Sequence, residues 1–384
     1  MALTPRSILR KNRFPAGEND TEITIMSYID RQNKLIAYLK KESIGAFLIK
    51  KKENISYLTG SRGEDAILFV SPKKNILMTD SRHKEEYEKS SKRCSVSIVK
   101  NKNFGEIITA ACVETRSSLV GFEADNFTYQ GYANLKKLFG KIKLAPLTHA
   151  IENLRMIKDE SEIRHIKQAC KYGAQLMNYA IKALKPGVSE NSVKRAIEAH
   201  ALRNNFNLAG FDIIVASGAN SSMPHAVASN KIIRKQEMVT LDLGAMHCGY
   251  NSDLTRTVFL GKISRKYLQI YNIVLAAQSV AIEILKPGVY VKDADAVSRR
   301  YISDRGMGSF FIHSLGHGIG RETHEIPAIS QSSNIKLEKG MVITIEPGIY
   351  MPGWGGVRIE DMVLITKNGC EILTKGAMKY AGRN

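Results

Sequence analysis

The segment Leu184-Lys-Pro-Gly-Val188 returns downstream as Leu285-Lys-Pro-Gly-Val289. Lysine near a helix end followed by Pro-Gly is a common stop signal: proline cannot continue the helix, and glycine accepts a left-handed backbone. The context makes the repetition informative. Apolar periodicity predicts helices over 158–184 and about 189–205 on either side of the first copy. It predicts helices over 268–285 and 293–306 on either side of the second. A two-helix unit used twice implies a pseudo-twofold domain over residues 151–384, with a site where its halves meet.

The sequence before residue 150 has a different texture. Short apolar runs at 46–49, 66–70, 76–79, 95–99 and 119–122 read as strands. Helical patterns at 27–42, 82–90, 103–114 and 129–139 separate many of them. Such alternation predicts an α/β domain over residues 26–150. Residues 1–25 carry Arg6, Arg10, Lys11 and Arg13 but lack the apolar stretch of about 7–15 residues that a signal peptide needs. They read as a disordered extension ahead of the patterned sequence. No apolar run approaches the roughly 20 residues of a membrane span. The five cysteines, Cys94, Cys112, Cys170, Cys248 and Cys370, are widely spaced, with no Cys-x-x-Cys. Their spacing argues against a disulfide scaffold and against a zinc–thiolate site, and fits a reducing cytoplasm. The net charge of +19 would suit a nucleic-acid partner. The excess is spread, however: 26 basic and 16 acidic groups in residues 1–150, against 30 and 21 in the remainder. That distribution favours a general surface bias.

Four strands of the second domain carry a charge inside an apolar pattern. In Val239-Thr-Leu-Asp-Leu-Gly244, Asp242 shares a face with Thr240; in Ser252-Asp-Leu-Thr-Arg-Thr257, Asp253 shares one with Thr255 and Thr257. With Gly249 in the connecting turn, the two strands can pair and face both carboxylates to one side. Taken alone, the pair reads as two hydrogen-bonded strand-end aspartates or as part of a cation site. His313-Ser-Leu-Gly-His317-Gly-Ile-Gly320 surrounds His317 with bare backbone, as happens where something approaches closely, and His324 follows. Met341-Val-Ile-Thr-Ile-Glu346-Pro-Gly348 puts Glu346 on one face with Val342 and Thr344. Val357-Arg-Ile-Glu360-Asp361 puts Arg358 and Glu360 on one side. Burying Asp242, Asp253, Glu346 and Glu360 without compensation is prohibitive, and two divalent cations would neutralise them. An oxygen-rich shell with one imidazole suits Mn²⁺, with Co²⁺, Fe²⁺ and Zn²⁺ as alternatives. A pair of such ions activates a shared water as hydroxide, which is hydrolytic chemistry.

These motifs resemble those of the pita-bread metallopeptidases, specifically the Xaa-Pro peptidases (prolidase and aminopeptidase P). The resemblance runs from about 27 to 384. It is most specific at Asp242-x10-Asp253-Leu-Thr-Arg-Thr257, at the two histidines of 313–320, at Ile345-Glu346-Pro-Gly348 and at Arg358-Ile-Glu360-Asp361. Asn54-Ile-Ser-Tyr-Leu-Thr-Gly60, Thr79-Asp-Ser-Arg82 and Gly121-Phe-Glu-Ala-Asp125 are similar to the family's non-catalytic N-terminal domain. The resemblance implies an α/β N-terminal domain followed by an α+β pita-bread catalytic domain. It implies that Asp242, Asp253, His317, Glu346 and Glu360 hold two divalent ions, that Asp253 and Glu360 bridge them, and that Glu346 takes the proton of the attacking water. His225 and His313 match substrate-side histidines, His324 the one that steadies the tetrahedral intermediate, and Arg358 a nearby buried arginine. His247 matches nothing in the family and reads as a loop residue. The implied substrate is a proline-containing peptide, cleaved between an N-terminal residue and proline. The implied assembly is a homodimer through the N-terminal domain, with neither membrane nor nucleic acid as partner. Three other readings fit less well. Methionine aminopeptidases share the five ligands but lack the first domain. Creatine amidinohydrolase shares both domains but works without metals. Non-enzymatic scaffold relatives, which would suit the charge, usually lose ligands, and none is lost here.

Overall fold

The computed structural model describes residues 18–100, 104–379 and 382–383. It divides into two compact units, Met1–Pro146 and Leu147–Asn384. No helix among the described residues is long and apolar enough to cross a membrane.

The first unit opens with α1 (Glu18–Lys41), which begins ahead of Met26, where the patterned sequence was expected to start. Residues 1–17, the rest of the expected extension, lie outside the described residues. There follow β1 (Ala46–Ile49), α2 (Lys52–Thr59), β2 (Ala66–Val70), β3 (Asn75–Thr79), α3 (Lys84–Ser90), β4 (Ser95–Ile98), α4 (Phe104–Thr115), β5 (Leu119–Glu123), α5 (Tyr129–Phe139) and β6 (Lys143–Leu147). The strands form one mixed sheet in the order β4-β3-β2-β1-β5-β6. The inner strand β1 is apolar at every position, Ala46-Phe-Leu-Ile49, because it is buried throughout. Ile108, Ala111 and Cys112 of α4 and Leu135 and Phe139 of α5 share its core with Phe69, Val120 and Phe122 of the sheet.

The second unit contains α6 (Glu152–Met156), α7 (Glu160–Ala183), α8 (Glu190–Arg203), β7 (Asn207–Leu208), β8 (Ile214–Ser217), β9 (Met238–Leu243), β10 (Ala245–His247), β11 (Tyr250–Asn251) and β12 (Leu254–Leu260). It continues with α9 (Arg265–Glu283), α10 (Val291–Ser303), β13 (Gly316–Gly318), β14 (Glu325–Ile329), β15 (Val342–Ile345), β16 (Gly348–Met351), β17 (Gly355–Arg358), β18 (Asp361–Ile365), β19 (Cys370–Ile372) and β20 (Gly382–Arg383). Two main sheets result, β20-β12-β9-β8 and β14-β13-β15-β18-β19. The core over the first holds Leu176, Met177 and Ala180 of α7 and Ile197 of α8; that over the second holds Ile270, Val274 and Ala277 of α9 and Ala294 of α10.

The two Leu-Lys-Pro-Gly-Val segments are equivalent down to single hydrogen bonds. Gly187 N–H donates to Ile233 O at 2.9 Å, and Gly288 N–H to Leu337 O at 2.8 Å. Ile233 N–H returns a bond to Val188 O, and Leu337 N–H to Val289 O, both at 2.8 Å. Gly187 and Gly288 sit at φ 92° and 91°, a backbone that only glycine adopts without strain. Asp242 lies at the same offset beyond Ile233 as Glu346 beyond Leu337. Asp253 directly precedes β12, and Glu360 directly precedes β18. Each half therefore presents two carboxylates from an antiparallel strand pair, β9–β12 in one and β15–β18 in the other. A small hairpin interrupts each pair, β10–β11 in the first and β16–β17 in the second.

Candidate active site

The four carboxylates and His317 come together between the halves of the second unit. Nε2 of His317 lies 3.3 Å from Glu346 Oε1 and 3.9 Å from Asp253 Oδ2. One donor atom from each of Asp253, His317 and Glu360 falls within 4.8 Å of the others. The close approach expected at the glycines around His317 is that of neighbouring backbone. A Cβ at Gly316 would stand 2.1 Å from Thr344 O, and one at Gly318 2.4 Å from Ile326 O. Bare backbone there lets β13 pack against its neighbours in the sheet; it is not evidence that a ligand approaches.

Electrostatics at the cluster are severe. Burial drives Asp253 and Glu360 well above the usual carboxylate range. For Asp253 the next cause is repulsion from Glu360 and Asp242; for Glu360 it is repulsion from Glu346 and Asp242. Burial pushes Glu346 up to about 7, with Arg358 pulling the other way. The same burial brings His317 down to about 4, so its imidazole is neutral at pH 7 with a lone pair to give. Asp242 Oδ1 is buried without a hydrogen-bond partner among the described residues. Packed carboxylates, an unsatisfied buried oxygen and a neutral imidazole together form a donor set that fits divalent cations.

Arg358 supplies the fixed positive charge. Its Nη2 pairs with Asp242 Oδ2 at 2.6 Å, and its Nε donates to Thr255 Oγ1 at 3.0 Å. Thr255 Oγ1 in turn donates to Glu360 Oε2 at 2.7 Å. One guanidinium and one hydroxyl thus aim carboxylates from both halves. Arg358 Nη1 also donates to the Tyr350 hydroxyl at 2.8 Å and to Pro224 O at 3.2 Å. Tyr350 Oη lies 2.9 Å from His313 Nε2, and His313 Nδ1 lies 2.7 Å from Ser314 O. A carbonyl only accepts, so Nδ1 carries the proton and Nε2 accepts from Tyr350. Burial lowers His313 to about 4, so this neutral tautomer holds at pH 7. Both ring nitrogens of His313 are thus engaged.

His324 stacks obliquely on His317, with ring centroids 4.2 Å apart, and burial lowers its titration. His225 is exposed on the loop beyond Ser222. It lies near enough to His313 and His324 to depress both electrostatically. All nine residues singled out in the sequence therefore belong to one region. His247 is not part of it and is not a loop residue: it ends β10, with its ring near His165 and Tyr172.

Sequence reasoning missed the supports. Tyr350 carried the strongest hint, because it alternates with buried Ile349 directly after the Pro-Gly that follows Glu346. Glu190 gave none, since an acid in the first turn of a helix reads as a dipole complement. It is fully buried and accepts from Ser217 N–H and Oγ, Asn220 Nδ2, and Ser229 N–H and Oγ, gathering both ends of the loop that carries His225. Glu325, beside His324, is buried between Arg155 and Lys158.

The comparisons with known proteins agree with this geometry. Residues 164–367 match the model of metallopeptidase family M24, and residues 31–157 match the creatinase/prolidase N-terminal domain. The chain belongs to metallopeptidase family M24 and has the family's pita-bread fold. A relative in Pyrococcus horikoshii, an Xaa-Pro dipeptidase, is 39% identical over 356 residues, which is 90% of this chain and 97% of that protein. A solved Xaa-Pro dipeptidase from Bacillus anthracis superposes with a TM-score of 0.89 at 36% identity, covering 93% of this chain and 100% of that one. A solved X-Pro aminopeptidase from Thermotoga maritima gives a TM-score of 0.84 at 33% identity, covering 92% and 99%.

Two outcomes are expected. Thr255→Val removes the hydroxyl that joins Arg358 to Glu360, and should lower metal affinity or kcat/KM about 10–100-fold, read by metal titration and kinetics. Glu325→Gln tests the buried ion cluster. Burial alone would raise this acid, but Lys158 and then Arg155 hold it down at about 2. A depressed carboxylate contributes stability above its unfolded value near 4.5, and that contribution fades as pH falls towards about 2. Glu325→Gln should therefore lose about 3 kcal/mol at neutral pH and show a flatter stability profile between those limits, measured by urea denaturation against pH.

Proposed function

We propose that this chain hydrolyses the peptide bond between an N-terminal residue and a following proline, with Asp242, Asp253, His317, Glu346 and Glu360 holding two divalent cations. The observation that carries this is the meeting of two carboxylate pairs, one from each half, around a neutral imidazole and an unsatisfied Asp242 oxygen. Xaa-Pro specificity follows from the relatives in Pyrococcus, Bacillus and Thermotoga named above.

When bound, the ions supply Lewis-acid charge and make a water acidic enough to attack at neutral pH. The chain's own groups do the rest. Glu346 is placed to accept the proton of the attacking water and pass it to the leaving nitrogen. His324, beside His317, is placed to donate to the oxygen that gains charge as the carbonyl is attacked. Arg358 holds Asp242 directly and Glu360 through Thr255, so that neither carboxylate must reorganise during the reaction. His225 faces solvent at the site and meets the substrate, and His313 bounds the same space through Tyr350. Mn²⁺ is the preferred ion by hardness, with Co²⁺, Fe²⁺ and Zn²⁺ as alternatives. We read the division into an N-terminal domain to about residue 150 and a catalytic domain beyond it. We also read a homodimer through the first unit and a cytoplasmic location from the cysteine pattern. The spread of charge along the sequence argues against a dedicated nucleic-acid surface.

Protein loaded with Mn²⁺ or Co²⁺ should cleave Ala-Pro, Ala-Pro-Ala-Ala or both, and EDTA should abolish cleavage. Cleavage of the dipeptide alone marks a dipeptidase; cleavage of the tetrapeptide marks an aminopeptidase; failure on both with every metal defeats the reading. Asp253→Asn should lose bound metal and turnover together. Full turnover in that variant would refute the ligand assignment.

A further inference from the structure

A second group of metal-ligating side chains lies outside the carboxylate cluster. At the tip of the β10–β11 hairpin, Cys248 Sγ is 3.6 Å from His247 Nε2. His165 on α7 brings its ring to 5.5 Å from that of His247, centroid to centroid. One donor atom from each of the three falls within 4.8 Å of the others. Zinc–sulfur and zinc–nitrogen bonds of about 2.3 and 2.0 Å at a tetrahedral angle separate the two ligand atoms by about 3.6 Å. The sulfur–nitrogen pair already has that spacing.

We propose that His165, His247 and Cys248 form a third cation site, which takes Zn²⁺ with water in the open fourth position. The donor chemistry selects the ion. Two imidazoles and a thiolate suit borderline-soft Zn²⁺, whereas the oxygen-rich cluster between the halves favours harder ions. The rings are held in advance. His165 lies parallel to Tyr250, with centroids 5.7 Å apart and planes 11° apart, and the Tyr250 hydroxyl donates to Glu162 Oε1 at 3.0 Å. His247 is set edge-on to Tyr172 at 5.7 Å. Burial lowers His247, leaving it neutral at pH 7 and ready to coordinate. Burial raises the Cys248 thiol, so binding displaces its proton to solvent and leaves a thiolate on the ion; nearby Arg321 favours that charge. Cys248 is exposed, which gives the ion an entry path. Its backbone is left-handed at φ 51°, an uncommon setting for a residue other than glycine, asparagine or aspartate.

Occupancy would tie α7 to the hairpin that joins the strands of Asp242 and Asp253. The spacing of the cysteines argued against a zinc–thiolate site, because a site with one cysteine and a histidine from a distant part of the chain leaves no Cys-x-x-Cys. The proposal is independent of the peptidase reading.

The test uses full-length protein kept reduced without a chelating thiol, with Co²⁺ as a spectroscopic probe for Zn²⁺. A site made of oxygen and nitrogen cannot give a thiolate-to-cobalt charge-transfer band, so that band reports a cysteine ligand and not the carboxylate cluster. Wild type should develop the band, at an intensity that corresponds to one thiolate-bound Co²⁺ per chain once all sites are filled. Cys248→Ser should abolish it and bind one Zn²⁺ fewer by elemental analysis, while keeping its Mn²⁺-dependent turnover. His165→Ala and His247→Ala should each weaken or abolish the band. No band in wild type would overturn the proposal. So would an equal band in Cys248→Ser, which would assign it to another cysteine. A band unchanged by both histidine variants would mean that a lone thiol binds the ion, and would overturn it as well.

Discussion

Mutual repulsion among Asp242, Asp253, Glu346 and Glu360 is the constraint on which the second unit depends. Each lies in a strand or directly beside one and is largely buried, so none can turn away to water. Arg358 is a buried cation that pairs directly with the group, and among the described residues its ion pair is with Asp242. One guanidinium cannot balance four carboxylates, and burial, with the surplus negative charge added to it, raises the proton affinity of Asp253, Glu346 and Glu360. A fold that tolerates this arrangement gains nothing in stability from it. It makes physical sense as a receptacle for positive charge.

Duplication explains how such a receptacle can be rigid. A strand pair in each half brings two carboxylates close, and the halves are then locked together across the site. Arg256 donates to Thr255 O and Glu360 O and pairs with Asp361 at 2.8 Å, while Glu360 N–H donates to Thr255 O at 3.1 Å. Thr257 and Arg358 exchange two further bonds, at 3.0 and 3.1 Å. The backbone beside Asp253 and Glu360 is therefore fixed by the opposite half, and little freedom remains there to be lost when a cation or substrate arrives.

The placement of the carboxylates was legible because a charge inside a period-two apolar pattern is conspicuous, as at Asp242 and Glu360. The repeated stop segment was legible because it recurs in the same context. The groups that hold the site were not. Glu190, Thr255 and Glu325 are ordinary polar residues in sequence, and only the bonds they make across the fold give them a role. The glycines beside His317 were visible, but not what approaches them. Bare backbone at Gly316 and Gly318 has the same signature whether a ligand or a neighbouring strand comes near, and here it is the strand. His247 was passed over for a related reason: its neighbours His165 and Tyr172 lie far up the chain.

The inserted hairpins show how the two halves have diverged. Both interrupt a strand pair between two carboxylates, so they occupy equivalent positions in the two halves. In the second half, β16–β17 faces the site and carries Tyr350 and Arg358, which anchor the carboxylates and His313. In the first half, β10–β11 packs on α7 and ends in the exposed Cys248. A site between two similar halves needs an asymmetric charge distribution to tell the two ends of a peptide apart. The arginine supplied by one hairpin and absent from the other creates that asymmetry, leaving Asp242 ion-paired on one side and His317 facing Asp253 and Glu346 on the other. The hairpin released from that duty keeps its place between Asp242 and Asp253.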